Sequence, residues 1–441
     1  MRCTRATSCA RCSAGADRDA TTPAAEHRGR WRFAALWIAS SARAAADAGL
    51  RLFVVLLATA GTPAERESAW HLVMAMFMLP CVLMAPVNGA LGNSLPKRAV
   101  LVGAAAYMLA ATVVFGLHGG AWLGAVAAIA LGSALYVPAR FALLPAAAAD
   151  TGWPQMRIVA WIEGGAVLSM AAGMVVAGAL AGAVGPGGLP AMVWVLWGLG
   201  ALCLLASMPA RFEADVRRAE PPTAALRGFF ADLRRIVGQR TALAPLLGLA
   251  TLRGLAAASV GALIAAVLDR QGGAAPDAAY RTLLAAALLS MLGAGLGSAL
   301  AGLLRERRRA LAWVPLGALG MALALTWVAH APTVPLALCF VVGLLGGFVN
   351  VPLLVAYQTA LPADARGNGM AILNTAGYIG IAALALTLAA LSTARLVSAS
   401  GQLLAVAALA GAAGAAAWRA LHEPSVRRPT AVPGRTPRPD Q

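Results

Sequence analysis

Apolar runs long enough to cross a bilayer recur twelve times along the chain, at approximately 33–59, 69–92, 99–117, 121–143, 158–183, 190–209, 243–268, 280–304, 310–329, 333–361, 369–392 and 397–421. Each matches the roughly 20 apolar residues that a helix needs to span the hydrocarbon. The polar gaps between them are short, with one exception. Ala210 to Thr241 holds seven arginines and four acids, and its stretch LRGFFADLRRIV is amphipathic. That pattern predicts a linker helix lying along the membrane surface. The chain thus divides into a tail at 1–30, a six-helix bundle at 31–209, a linker at 210–241, a second bundle at 242–422 and a tail at 423–441. The predicted fold class is an all-α polytopic membrane protein with twelve transmembrane helices in two six-helix bundles.

Composition agrees: 60% of the 441 residues are hydrophobic and 12% are charged, whereas soluble domains are about a quarter charged. The net charge of +17 does not point to nucleic acid, because the basic residues sit in the gaps and tails. Of the 35 Lys and Arg, 28 fall in the N-terminal tail, the even-numbered connections and the C-terminal tail, counting Arg140 and Arg419 with the ends they border. Four fall in the odd-numbered connections. The positive-inside rule then places both termini in the cytoplasm. The first thirty residues carry no apolar core and do not read as a signal peptide. Cys9 and Cys12 form one CxxC without a second pair, which makes no zinc site, and Cys81, Cys203 and Cys339 read as small core residues.

Charges inside the apolar runs change the picture, since each is costly unless it faces protein or water. Arg43, Asp47 and Arg51 are spaced i, i+4, i+8 and share one helix stripe. They form either a site for an anionic head group or a self-neutralised Arg–Asp–Arg set that ties helices together. The stretch from Gly132 to Glu163 reads as a helix that breaks at Pro138, with Arg140 and Arg157 around a polar turn. Glu163 has no local partner; it can take up a proton or Na⁺, or pair with Arg253 across the halves. Gln358 and Asn374 are candidates for substrate or ion coordination, or for interhelical hydrogen bonds. Lys97, Arg98, Arg140, Arg157 and the Arg305–Arg309 cluster, Arg307 included, are topology determinants and lipid-phosphate contacts, with a latch between the cytoplasmic ends of the two halves, Glu306 as its acidic partner, as the sharper reading. Gly178-x3-Gly182 predicts close helix packing.

The halves echo each other at an offset near 210. Arg43 corresponds to Arg253, Gly92 to Gly302, and Gly132-x5-Pro138 to Gly346-x5-Pro352. Parallel repeats of this kind build transporter sites at their interface. No histidine has an Asp five residues on, so the His-x4-Asp acyltransferase pattern is absent, and no phosphate loop ending in Gly-Lys-Ser/Thr occurs. These absences disfavour an enzyme and an ATP-driven pump.

Four stretches resemble the lysophospholipid transporter family of the major facilitator superfamily. In Phe33–Arg51 the retained residues are Asp47 and Arg51, with Ala46 and Ala48 in place of asparagines. Gly89–Leu101 carries Pro96-Lys97-Arg98, with Asn93 in place of an Asp. Gly132–Pro145 keeps Tyr136, Pro138, Arg140, Phe141 and Pro145, and Glu163 follows at the acidic position of the fifth helix. Pro352–Gly377 keeps Pro352, Gln358, Gly367, Gly369, Ala371, Ile372 and Asn374. The resemblance implies a secondary transporter of the bacterial inner membrane, moving lysophospholipids such as lysophosphatidylethanolamine by alternating access. No cofactor is expected, and coupling to Na⁺ or H⁺ is the reading that the Glu163 carboxylate offers. The implied partners are membrane lipids and a lysophospholipid acyltransferase or acyl-carrier synthetase. Export of amphiphilic drugs or metabolites, and a non-transporting scaffold or sensor, are the alternatives on the same fold.

Overall fold

The computed structural model describes residues 23–58, 73, 76–118, 122–184, 189–212, 222–270, 276–304, 306–393 and 396–422. Cys3, Cys9, Cys12, Arg66, Arg305, Arg395, residues 1–22 of the first tail and the whole of 423–441 lie outside them, whereas 23–30 begin the first helix. The described residues are almost entirely helical. The first half comprises α1 (Pro23–Ala58), α2 (Met76–Leu83), α3 (Ala85–Ser94), α4 (Lys97–His118), α5 (Trp122–Thr151), α6 (Gln155–Val184) and α7 (Leu189–Ser207). After α8 (Pro222–Gly238) come α9 (Arg240–Arg270), α10 (Pro276–Ala301), α11 (Arg307–Ala312), α12 (Val314–His330), α13 (Leu336–Ala360), α14 (Arg366–Thr393) and α15 (Ala399–His422).

Ten helical segments are long and apolar enough to cross a membrane, with α11 and α12 counted as one; α2 and α3, bent by 56° at Met84, supply an eleventh. α1 completes the set of twelve. It carries the Arg43, Asp47 and Arg51 charges and packs against α5, α6 and α7 in the middle of its half. The protein is a multi-pass membrane protein.

The prolines do not break α5. It runs unbroken through Pro138 and Pro145 to Thr151, and the polar turn falls at Gly152–Pro154, where Gly152 takes a positive φ of 67°. In a packed transmembrane bundle, neighbouring helices compensate for the backbone donor a proline lacks. The correction moves Arg140 from the helix end to the interior, about 16 Å short of Thr151 at 1.5 Å per residue.

Small residues set the closest crossings. A Cβ built on Gly343 or Gly347 of α13 would strike the α10 backbone at Ser290 or Ala294, and one on Gly293 or Gly297 of α10 would strike α13 at Phe340 or Leu344. Two Gly-x3-Gly pairs thus face each other, the arrangement that lets helix backbones touch. The internal repeat shows in a second crossing. In the first half Gly49 approaches the Gly173 carbonyl and Gly173 faces the Ala45 backbone; in the second, Gly254 approaches the Gly380 carbonyl and Gly380 faces Ala250. Gly178, by contrast, meets nothing within 4 Å, so the expected packing role does not apply to it.

The halves meet near the end where α1 and α4 begin and where α8 lies, here called the basic end. A Cβ on Gly92 would come 3.5 Å from the Gly367 Cα, and Gly302 abuts Ala160. These two glycines, matched by the repeat, each face the opposite half. The linker helix α8 turns Ala225, Phe229, Asp232 and Ile236 inward against the protein, chiefly α3, with α9 and α14 beside it. Its best apolar face is therefore covered by protein and not by lipid. Leu226, Phe230 and Val237 stay exposed on the flank, where a membrane surface can meet them.

Asn368 joins three elements there. Its backbone N–H donates to Asn93 Oδ1 (3.2 Å), and its Nδ2 donates to Asp232 Oδ2 (2.7 Å). A hydrogen bond to a charged group contributes about 1.5–3 kcal/mol. Replacing Asn368 with Leu is expected to speed amide hydrogen exchange across 222–238 by at least about tenfold. Unchanged exchange there would show that α8 does not depend on this bond.

Candidate functional site

α1 brings Arg43, Asp47 and Arg51 to one stripe, but only two of them pair. Arg43 forms an ion pair with Asp47 one turn on. Ser133 of α5 is the third member: Arg43 Nη1 donates to its Oγ at 3.0 Å, and that hydroxyl donates to Asp47 Oδ2 at 2.9 Å. The Arg43 guanidinium lies 5.5 Å from the Tyr136 ring centroid. Arg51 turns away. Its Nε donates to the Asp47 backbone carbonyl at 3.1 Å, and its guanidinium sits 4.3 Å from the centroid of Phe77 on α2. The expected Arg–Asp–Arg set is thus an Arg–Asp–Ser set with a separate arginine.

A second group bridges the halves. Glu163 of α6 lies 3.6 Å from Arg140 Nη2 and accepts from Asn350 Nδ2 of α13 at 2.8 Å. Arg140 packs over Phe141, 4.2 Å from guanidinium to centroid. Glu163 therefore pairs with Arg140 and not with Arg253. Arg253 of α9 instead lies close over Gly377 of α14, where a Cβ would come 2.6 Å from its Nη1. Asn374, one turn before Gly377, is buried on the same helix.

Among the described residues, four arginines (Arg43, Arg51, Arg140, Arg253) and two carboxylates (Asp47, Glu163) occupy the interior of the spans. The balance is two positive charges in excess. Moreover, Arg43 Nε and Arg140 Nε and Nη1 are buried without an acceptor among the described residues. A buried donor left unpaired costs about 1–3 kcal/mol, so these groups suit a ligand that brings oxygen acceptors and negative charge.

The remaining predicted residues lie elsewhere. Gln358 accepts from Gln155 Nε2 at 2.7 Å and donates to the Phe141 carbonyl at 3.1 Å, tying α13 to α5 and α6 below the charged layer. Arg98 donates to the Met208 carbonyl, Arg307 to Thr359 Oγ1 (2.6 Å), and Glu306 pairs with Arg309 (2.9 Å). Each of these contacts stays within one half. Arg157 is exposed and stacks on Trp153 at 4.2 Å, while Lys97 is buried. The contacts that join the basic ends include those of Gly92, Asn93 and Asn368, the approach of Gly302 to Ala160, and the Gln155–Gln358 pair. Asn350 and Ser133 escaped the sequence reading. Asn350 carried a signal all the same: it is a lone amide in an apolar run, two residues before Pro352.

Two helical bundles meeting around buried charge define a membrane carrier. The sequence profile of the Major Facilitator Superfamily matches residues 36–385, and the chain belongs to that superfamily. No curated protein matches it in sequence. Its fold is similar to the human organic anion transporter MFSD10 (TETRAN), with a TM-score of 0.66 at 15% identity over 90% of this chain and 100% of that one. It is likewise similar to the E. coli fucose:proton symporter FucP, TM-score 0.67 at 15% identity over 88% and 98%. For the proton:xylose symporter XylE the values are 0.65 and 11% over 90% and 96%.

Proposed function

We propose that the protein is a secondary transporter of amphiphiles with a phosphate in the head group, and that a lysophospholipid such as lysophosphatidylethanolamine is its cargo. The observation that carries the reading is the excess of buried arginine over carboxylate, with guanidinium donors lacking protein acceptors. A phosphate or carboxylate head group supplies both the charge and the acceptors, and Arg binds such groups through parallel N–H donors. The resemblance of Gly132–Pro145 to the lysophospholipid transporter family adds the acyl chain. The similar fold of an organic anion transporter is in keeping with the charge.

In this reading the halves, 31–209 and 242–422, rock about the charged layer, and the Glu163–Asn350 bond across them is remade in each cycle. Glu163 and Asp47 are the groups to which H⁺ or Na⁺ coupling is assigned. In the same reading the membrane is the bacterial inner membrane, both termini lie in the cytoplasm, which the distribution of Lys and Arg supports, and a lysophospholipid acyltransferase acts downstream.

Uptake into proteoliposomes tests this, with labelled lysophospholipid, fucose and xylose compared with and without Na⁺ and H⁺ gradients. Lysophospholipid is expected to move and the sugars are not. Arg140→Gln should lower uptake about tenfold, as loss of one charge-assisted hydrogen bond requires. Sugar uptake, or lysophospholipid uptake unchanged in a well-folded Arg140→Gln protein, overturns the reading.

A further inference from the structure

Apart from the transport site, a groove opens at the basic end between the start of α1, the start of α4 and the chain leaving α7. Its lining includes Arg28, Trp31, Arg32, Arg98, Met208 and Arg211, and among the described residues it contains no Asp or Glu. Arg28 and Arg32 are one turn apart on α1, Arg98 opens α4, and Arg211 follows the end of α7. Three chain segments thus bring four guanidinium groups around one depression. The Arg98 Nε bond to the Met208 carbonyl fixes α4 against the α7 end.

The surroundings are apolar on one side. Trp31 is 60% exposed and Met208 42%. Below Met208, the α7 face continues with Leu205 and Leu202, 62% and 45% exposed. Spaced by three residues, these side chains form a stripe that runs from the groove into the span. An indole at the edge of a span sits at head-group depth, so the arginines lie where lipid phosphates are.

We propose that this groove is a binding site for an anionic diacyl phospholipid, with the phosphate held by Arg28, Arg32, Arg98 and Arg211 and one acyl chain laid along Met208, Leu205 and Leu202. Four cationic groups on three separate segments make the site polyvalent. A lipid bridging them ties the first helix to the third and sixth spans. A free phosphate shares the head-group chemistry but cannot use the stripe, which is why the occupant is a lipid.

The test uses the full chain in phosphatidylcholine nanodiscs with and without phosphatidylglycerol, and reads retained lipid by native mass spectrometry. Preferential retention of phosphatidylglycerol is expected. Each removed cation near a membrane surface weakens anionic lipid binding about fivefold, so R28Q/R98Q/R211Q should lose on the order of a hundredfold. R28K/R98K/R211K, which keeps the charge, should retain most of it. Two further measurements use the wild type alone. Millimolar inorganic phosphate should leave the thermal midpoint unchanged where phosphatidylglycerol raises it. Equal retention of phosphatidylcholine and phosphatidylglycerol, equal stabilisation by free phosphate, or full retention by the folded glutamine variant would each overturn the proposal.

Discussion

Asp47→Ala is expected to leave little folded protein in the membrane and no measurable transport. Asp47 is 4% exposed and neutralises Arg43, which is itself buried. Removing one partner of a buried pair strands the other charge, at a cost of about 3–5 kcal/mol. That is a large share of a total stability of about 5–15 kcal/mol. The double variant Arg43→Met/Asp47→Leu separates structure from transport. Apolar replacement of a buried pair is often neutral for stability, so expression should recover, as read by fluorescence-detected size exclusion. Transport should not recover, because the cargo has lost one of its cationic contacts. A double variant that folds and transports normally would reduce the pair to a tie between α1 and α5.

Gly347→Leu is expected to lower the thermal midpoint strongly, whereas Gly346→Ala at the neighbouring position should be tolerated. A Cβ on Gly347 runs into the Ala294 backbone, while one on Gly346 meets nothing within 4 Å. Overpacking typically costs about 1–3 kcal/mol where side chains can yield. Here the obstacle is main chain, held by Gly343, Gly293 and Gly297 in the same crossing, so the upper end of that range is the minimum. Gly346→Ala gains helix propensity of up to about 1 kcal/mol. Thermal unfolding midpoints of the two proteins in detergent decide the matter. Equal midpoints would mean that α10 and α13 do not touch as closely as described.

The architecture was legible because hydrocarbon imposes a length on every span. Twelve runs of apolar residues leave little choice of fold. The charged residues were legible as a set, since Arg43, Asp47, Glu163 and Arg253 each stand out against an apolar run. Their pairing was not. Glu163 meets Arg140 only because α5 continues through Pro138, and a proline in a sequence reads as a break unless the packing around it is known. The partners of the basic helix ends were not legible for a related reason. Lys and Arg at helix ends report topology, and topology says nothing of which groups touch. The contacts that close the basic end use Gly92, Gly367, Asn93 and Asn368. Glycine and asparagine of that kind draw no notice in a chain with 47 glycines.

The position of Asn368 has a mechanical consequence. It touches Asn93 in the first half, belongs to the second, and holds the connector through Asp232. Whenever the two halves swing apart at this end, the same residue must let go of one neighbour, and the seat of Phe229 over Gly89 is pulled open with it. The segment joining the halves is thereby geared to their motion, and a ligand or antibody fragment gripping it in its seated pose would stall the carrier with that door shut.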